Sequence, residues 1–251
     1  MTDLQQIKTY LDEYLALAEF ADDSWNGLQY AGSPQVSKIA SAVDASAKSF
    51  AAAASHGANF LLVHHGHFWR QANPSLVDWQ RDRLSLLSNH NLSLYAAHLP
   101  LDQHPVVSNN AQILNLLKAK PTRGFYPHAN INIGWIGRIK PTPLSSIADQ
   151  LSRSLATACR VLPFGKKLVT TIAVCSGGGS YAGFFSALAA GVDLYISGDP
   201  VYIDPTAQEA KMNVIFAGHY ATETLGVQAL AAHLSQQYSL EHIFIDLPPI
   251  N

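Results

Sequence analysis

Residues 38–65 read KIASAVDASAKSFAAAASHGANFLLVHH, and this stretch decides the fold. KIASAV (38–43) is a short apolar run of strand character. SAKSFAAAASHG (46–57) is an alanine-rich helix closed by Gly57, and NFLLVHH (59–65) is a second apolar strand. Strand, helix and strand in that order make a βαβ unit, which implies parallel pairing with a helix packed on the sheet. The rhythm continues outward with a helix at DWQRDRLSLLSNH (78–90) and a strand at NLSLYAAH (91–98). It resumes with PLSSIADQLSRSLA (143–156) as a helix and LVTTIAVCS (168–176) as a strand. GSYAGFFSALAAG (179–191) is again a helix, and VDLYISGD (192–199) and NVIFAGH (213–219) are strands. The expected class is α/β with a mainly parallel or mixed sheet. Residues 121–143 interrupt it with prolines and glycines and no helical period, which places a domain transition there. The expected domains are residues 1–124 and 125–251.

The two halves share a pattern. KIASAVDAS…HGANFLLVHH and TIAVCSGGG…AAGVDLYISGD both read strand, small-residue turn, alanine-rich helix, glycine, apolar strand. Tyr95-Ala96-Ala97-His98 is followed by Asp102, and Phe216-Ala217-Gly218-His219 by Glu223, with identical internal spacing. These ordered correspondences point to an internal duplication, two related α/β domains.

Bulk properties exclude several function classes. With 48% hydrophobic and 14% charged residues, the 251-residue chain can bury a large core and has no disorder signature. A net charge of −2 without a basic run argues against nucleic acid and anionic membrane as partners. No segment is long and apolar enough to span a membrane. Cys159 and Cys175 form no framework or Cys-x-x-Cys pair. The N-terminal stretch MTDLQQIKTYLDEYLALAEF has the period of an amphipathic helix, without the basic flank of a signal peptide. The expected setting is cytoplasmic and reducing.

Chemistry gathers at the strand ends. Open α/β sheets bind ligands beyond the carboxyl ends of their strands. His64-His65, His98 with Asp102, Asp199, and His219 with Glu223 all lie just past such ends. Four imidazoles and three carboxylates exceed the needs of one ion and suit a two-metal site with a bridging carboxylate. Adjacent histidines face opposite ways on an ideal strand, but at its last residue the chain turns and both rings can converge. His219 and Glu223, at i and i+4, stack on one helical face if a helix begins near them. Each group has a plainer reading: His98 as a buried histidine bonded to backbone, Asp199 as a strand-end cap, His67 as a neighbour displaced by Gly66. Cys175 reads as a small buried residue. CSGGGS (175–180) is either a tight turn or an anion cradle, and lacks the lysine of a Walker loop.

VHHGHFW, AAHLPLD, VCSGGGS, YISGD and AGHYATE, in that order, resemble the Nif-three-like dinuclear metal-centre family, whose members are often called GTP cyclohydrolase I type 2 homologues. SWNGLQYAG (24–32) resembles its N-terminal signature. The resemblance covers essentially the whole chain and is to the short bacterial form. It implies two α/β domains with a dinuclear site in the cleft between them, assembled as a toroidal homohexamer. Carried over, the metal ligands are His64, His65, Asp102, His219 and Glu223, with Glu223 as the bridge. His98 and His67 fall beside the centre, as proton-transfer or supporting groups. Two divalent ions per chain are expected, and zinc, iron, manganese and nickel all suit the donors. Many relatives carry a histidine a few residues after the glycine–acid pair, where this chain reads GDPVYIDP with Ile203. The implied function is a metal-dependent hydrolase of a small molecule (a nucleotide, phosphoester or cyclic amide). The alternative is a metal-stabilised ring-shaped scaffold that binds a partner.

Overall fold

The computed structural model describes residues 1–129 and 131–249. In chain order the first elements are β1 (Thr2–Asp3), α1 (Leu4–Tyr14), β2 (Gly27–Tyr30), β3 (Gln35–Val36), β4 (Lys38–Asp44), α2 (Ala47–Ser55), β5 (Phe60–His65), α3 (Asp78–Asn89) and β6 (Ser93–Ala96). Next come α4 (Leu99–Gln103), α5 (Asn109–Leu116), β7 (Lys120–His128), β8 (Ile131–Pro143), α6 (Leu144–Ser154) and β9 (Arg160–Pro163). The last are β10 (Leu168–Cys175), α7 (Ser180–Ala189), β11 (Leu194–Ser197), α8 (Asp204–Glu209), β12 (Asn213–Phe216), α9 (His219–Tyr238) and β13 (Glu241–Phe244). They form two packing units: Met1–Leu101 with the segment from Val227 onward, and Asp102–Gly226.

The first unit is built on a five-stranded sheet ordered β13-β4-β5-β6-β2, parallel except for β2. The opening stretch behaves as its period dictates. Ser46 caps α2 in a reciprocal box with Ser49, and Gly57 leaves the helix at φ +73°. Central strands β5 and β6 are buried along nearly their whole length, as parallel strands covered on both faces must be. Leu61, Val63, Leu94 and Ala96 pack with Phe50 and Ala53 of α2 and Leu87 of α3.

The second unit has a six-stranded mixed sheet ordered β7-β8-β10-β11-β12-β9. Its middle, β10-α7-β11-α8-β12, follows the same parallel path as β4-α2-β5-α3-β6. One core holds Ile113, Ile147, Leu151, Ile172 and Ile196. Another holds Phe125, Phe184, Tyr195 and Val214.

Two segments depart from the sequence reading. Residues 121–128 and 131–143 are no linker: they lie in the paired strands β7 and β8 inside the second unit. Pro121 and Pro127 are tolerated because β7 is the sheet's edge strand, where a missing N–H costs no ladder bond. Gly134 is required for contact, since a Cβ there would run into the Phe125 ring and come within 2.9 Å of the Val174 carbonyl. The chain also returns at its end. β13 pairs in parallel with β4, and Tyr10 Oη meets His233 Nε2 at 2.5 Å. The unit divisions therefore fall within α4 and α9. Asp102 packs with the second unit, whereas the sequence-based division placed it with His64 and His65.

A buried carboxylate pins the second sheet. Asp193 accepts from Lys166 Nζ at 2.7 Å, Thr170 N at 2.9 Å, Thr170 Oγ1 at 2.6 Å and Thr171 N at 3.1 Å. Burial opposes its ionisation, but these donors outweigh it and hold the carboxyl well below the ordinary range. The stabilisation is thus complete above the unfolded value of about 4 and is lost as pH falls through it toward the folded value. Asp193→Ala should cost about 2–3 kcal/mol by stranding the Thr170 and Thr171 donors. Denaturant melts of both proteins at pH 7 and pH 3 check this: the gap should narrow at the lower pH.

Candidate metal centre

In the first unit the site begins with register. β4 and β5 run parallel with Asp44 opposite His65, and β5 and β6 with Val63 opposite Ala96. That places His64, His65 and His98 together at the carboxyl end of the sheet, with ligand atoms within 4.8 Å of one another. Both rings of the His64-His65 pair converge, at 4.8 Å between centroids, because the chain turns at the strand end.

Each ring is oriented through Nδ1. His64 Nδ1 meets the Ala97 carbonyl at 2.9 Å, His65 Nδ1 meets Asp44 Oδ1 at 2.8 Å, and His98 Nδ1 meets Asp22 Oδ1 at 3.0 Å. Carbonyls and carboxylates accept only, so each Nδ1 carries the proton and each ring presents Nε2 as a lone-pair donor. Anchoring one ring nitrogen on an acceptor is how proteins fix a metal-binding imidazole.

Asp22 is the most heavily used of these anchors. Beyond His98 it accepts from Ser24 N at 3.1 Å, Asn26 Nδ2 at 2.8 Å and Leu99 N at 3.1 Å. Burial opposes its ionisation, yet the bonds to His98, Asn26 and Ser24 hold its carboxyl well below the usual range. Asn26 Oδ1 receives His98 N at 2.7 Å, and Gln29 Oε1 receives His67 N at 2.7 Å and Phe68 N at 3.2 Å. The SWNGLQ segment is therefore the clasp for both histidine loops. Gly66 is dictated by this clasp, since a Cβ would come within 2.7 Å of Gln29 Cδ and Ala96 Cβ. His67 does not join the imidazole group. Its ring turns to Phe68 and Trp79.

In the second unit, α9 opens at His219 and sets Glu223 one turn on, with His219 Nε2 to Glu223 Oε2 at 3.2 Å. His219 Nδ1 meets Asp199 Oδ2 at 2.7 Å, so Asp199 orients the imidazole. The Glu223 hydrogen bond and charge, with Asp199, outweigh burial and push the His219 pKa up to about 9. Two carboxylates around one ring are a setting that welcomes a cation. Asp102, at the head of this unit, takes Asn109 Nδ2 at 3.1 Å and Ser176 Oγ at 3.3 Å. Asn109 also receives Gly226 N of α9 at 2.7 Å, and Asn110 Oδ1 receives Ser176 N at 2.7 Å. Cys175, buried between the charges of Asp102 and Glu223, has its thiol pushed far up by burial first and then by those carboxylates, which rules it out as a nucleophile.

CSGGGS resolves as a tight turn that serves the acids. Gly177 N donates to Thr222 Oγ1 at 3.0 Å, and its carbonyl receives Gly198 N at 3.0 Å and Asp199 N at 2.9 Å. At φ +59°, a Cβ on Gly177 would collide with Glu223 Oε1 and sit 3.1 Å from His219 Nε2. Gly177→Ala should therefore leave a folded protein with left-handed backbone strain of about 1–3 kcal/mol. It should also show a sharply reduced metal content. Circular dichroism and elemental analysis on the same sample separate the two effects.

Two groups of side chains are thus capable of coordinating divalent ions, one built on His64, His65 and His98 and the other around His219 and Glu223. The anchors Asp44, Asp22, Asn109 and Asn110 were not singled out from sequence, and Asn26 and Gln29 only as part of the SWNGLQYAG signature, without a role. Asp44 carried a signal, because it ends the strand that pairs with the one ending in His65. Among the described residues no helix is long and apolar enough to cross a membrane.

Known proteins share this arrangement of elements over the full chain. The sequence is 40% identical to the GTP cyclohydrolase 1 type 2 homolog of Archaeoglobus fulgidus over 248 residues, 98% of either chain. A solved structure described as protein ybgI, of unknown function, superimposes with a TM-score of 0.91 at 32% identity, covering 99% of both chains. TTHA1606 from Thermus thermophilus superimposes with a TM-score of 0.86 at 36% identity, again over 99% of both. Residues 2–249 match the Duf34/NIF3 (NGG1p interacting factor 3) family, and with the fold and relatives agreeing over that length, the chain belongs to it.

Proposed function

We propose that the chain is a dinuclear-metal hydrolase in which His64, His65, Asp102, His219 and Glu223 would hold two divalent ions. The observation that carries this reading is the shared orientation of four imidazoles. His64, His65, His98 and His219 each have Nδ1 on an oxygen acceptor. Surface histidines have no reason to share that device. The donors suit zinc, iron, manganese or nickel. When bound, such ions supply Lewis acidity, acidifying water near neutral pH and polarising the bond under attack.

The chain's own residues do the rest. Asp44, Asp22 and Asp199 hold the rings in one tautomer and raise their basicity. His98 lies with the ligand imidazoles at centroid distances of 5.1 Å from His64 and 5.6 Å from His65. It serves as a further donor or as a proton carrier. His67, turned away, serves as a substrate contact. Water attack on a nucleotide, phosphoester or cyclic amide fits this set, and the name of the Archaeoglobus fulgidus relative points toward the nucleotide. The repeated strand–helix path fits an origin by duplication, and the resemblance adds a toroidal homohexamer in the cytoplasm.

A substrate panel of nucleotides, phosphoesters and cyclic amides tests the activity. Turnover that disappears with chelation and returns with metal is expected. A metal-loaded protein inert on the whole panel would favour the scaffold instead. Light scattering tests the hexamer, and a monomer would reject it.

A further inference from the structure

The first unit contains a cavity of about 980 Å³ that holds none of the proposed metal ligands. Its lining includes four aromatic rings, Trp25, Phe68, Trp69 and Trp79, together with Arg70 and Arg83. Trp25 and Trp79 are 53% and 57% exposed, unusual for indoles that are not covering a core. Each carries a guanidinium on its face, Arg70 at 4.9 Å from the Trp25 centroid and Arg83 at 4.8 Å from that of Trp79.

The two arginines differ. Arg70 Nε is spent on the Asp22 carbonyl at 2.7 Å. Arg83, on α3, makes no hydrogen bond or ion pair among the described residues. The carboxylate whose charge bears on it, Asp44, is bonded to His65. A partly desolvated guanidinium with no carboxylate in direct contact can still take an anion on its N–H fork. The cavity wall also holds His67, 9% exposed, whose buried Nδ1 has no hydrogen-bond partner. The cavity adjoins the imidazole group. Trp69 lines it, and the same ring packs edge-on against His98 at 5.2 Å.

We propose that this cavity binds a planar heteroaromatic ligand carrying an anionic group, its ring packed on the Trp25 and Trp79 indoles and its anion paired with Arg83. His67 Nδ1 takes a polar edge of the ring. Indole faces stack any flat heterocycle, and the guanidinium fork matches phosphate or carboxylate oxygens. As the statement of what the metal centre acts on, this rests on the hydrolase reading; as a binding site it stands alone.

Calorimetric titration tests it, with four probes: adenosine monophosphate, adenosine, inorganic phosphate and quinaldate. Each is run on metal-loaded and chelator-stripped protein whose metal content is measured separately. One ligand per chain is expected for the monophosphate or the carboxylate, and which one binds identifies the anion. Trp79→Ala and Arg83→Ala should each weaken it about tenfold or more, Trp79→Phe and Arg83→Lys less. Adenosine should not respond to Arg83→Ala. Binding that persists without metal would support the cavity even if the metal reading fails. Normal metal content with no binding of either anion at millimolar concentration would overturn the cavity proposal alone. So would affinity unchanged in both alanine variants, or inorganic phosphate binding as well as the whole ligand. A Trp79→Ala variant that instead changes the oligomeric state, with no probe bound, would assign the aromatic face to a second copy and likewise overturn it.

Discussion

Asp22→Ala is expected to destabilise the protein by about 3–5 kcal/mol and to loosen the His98 loop together with the segment that holds it. The size follows from what the carboxylate serves. Ser24 N, Leu99 N, Asn26 Nδ2 and His98 Nδ1 all donate to it, and it is 6% exposed. Ser24 is buried and Asn26, His98 and Leu99 are half-buried, so the stranded donors regain only part of what they lose from water. Asp22→Asn separates charge from shape. The amide keeps the volume but accepts through one oxygen, so about half the loss should remain. With His98 as a further metal donor, the same change should weaken metal binding by about 10–100-fold, the usual cost of losing a ligand's hydrogen-bonding partner; with His98 as a proton carrier, metal affinity should hold and turnover fall. Chemical denaturation and chelator competition read the two effects independently. Asp22→Ala within about 1 kcal/mol of wild type would show that the clasp is decorative.

Glu223→Gln carries the second large effect. The residue is 3% exposed, one turn from His219, and packed against Gly177, whose missing Cβ makes room for it. Glutamine fills the same volume and can still bond His219, so folding should persist. The negative charge that would bridge two cations is gone. Metal affinity should fall by more than about 100-fold, beyond the loss expected from any supporting residue. Titration of stripped protein with zinc or manganese, read by competition with a chromophoric chelator, measures it. Asp199→Asn is the comparison: it removes a nearby charge and the anchor of the His219 ring but no proposed ligand, so a smaller fall of about 10-fold is expected.

How much of this was legible in the sequence depends on the range of each interaction. The βαβ rhythm and the glycine at residue 57 are local, and period and turn chemistry expose them. The convergence of His64 and His65 was also readable, because a strand end is a local event. So was the i, i+4 stacking of His219 and Glu223. The anchors were not. Asp22 lies 76 positions before His98, and Gln29 sits 38 positions before His67. No periodicity announces such pairs. Asp199 was visible as a polar strand end, but its role as the orienting partner of His219 needed the third dimension. The β7–β8 hairpin was hidden because prolines and glycines signal linkers and edge strands alike. The return of EHIF as β13 was missed because four residues, two of them polar, carry too little pattern to declare a strand.

Whether the anchored imidazoles and the buried carboxylates hold a pair of metal ions is tested most directly by elemental analysis of the native protein, purified without added metal or chelator. About two divalent transition ions per chain are expected, with the number falling when His65 is replaced by alanine. Fewer than about one ion per chain, unchanged by that replacement, would contradict the dinuclear centre.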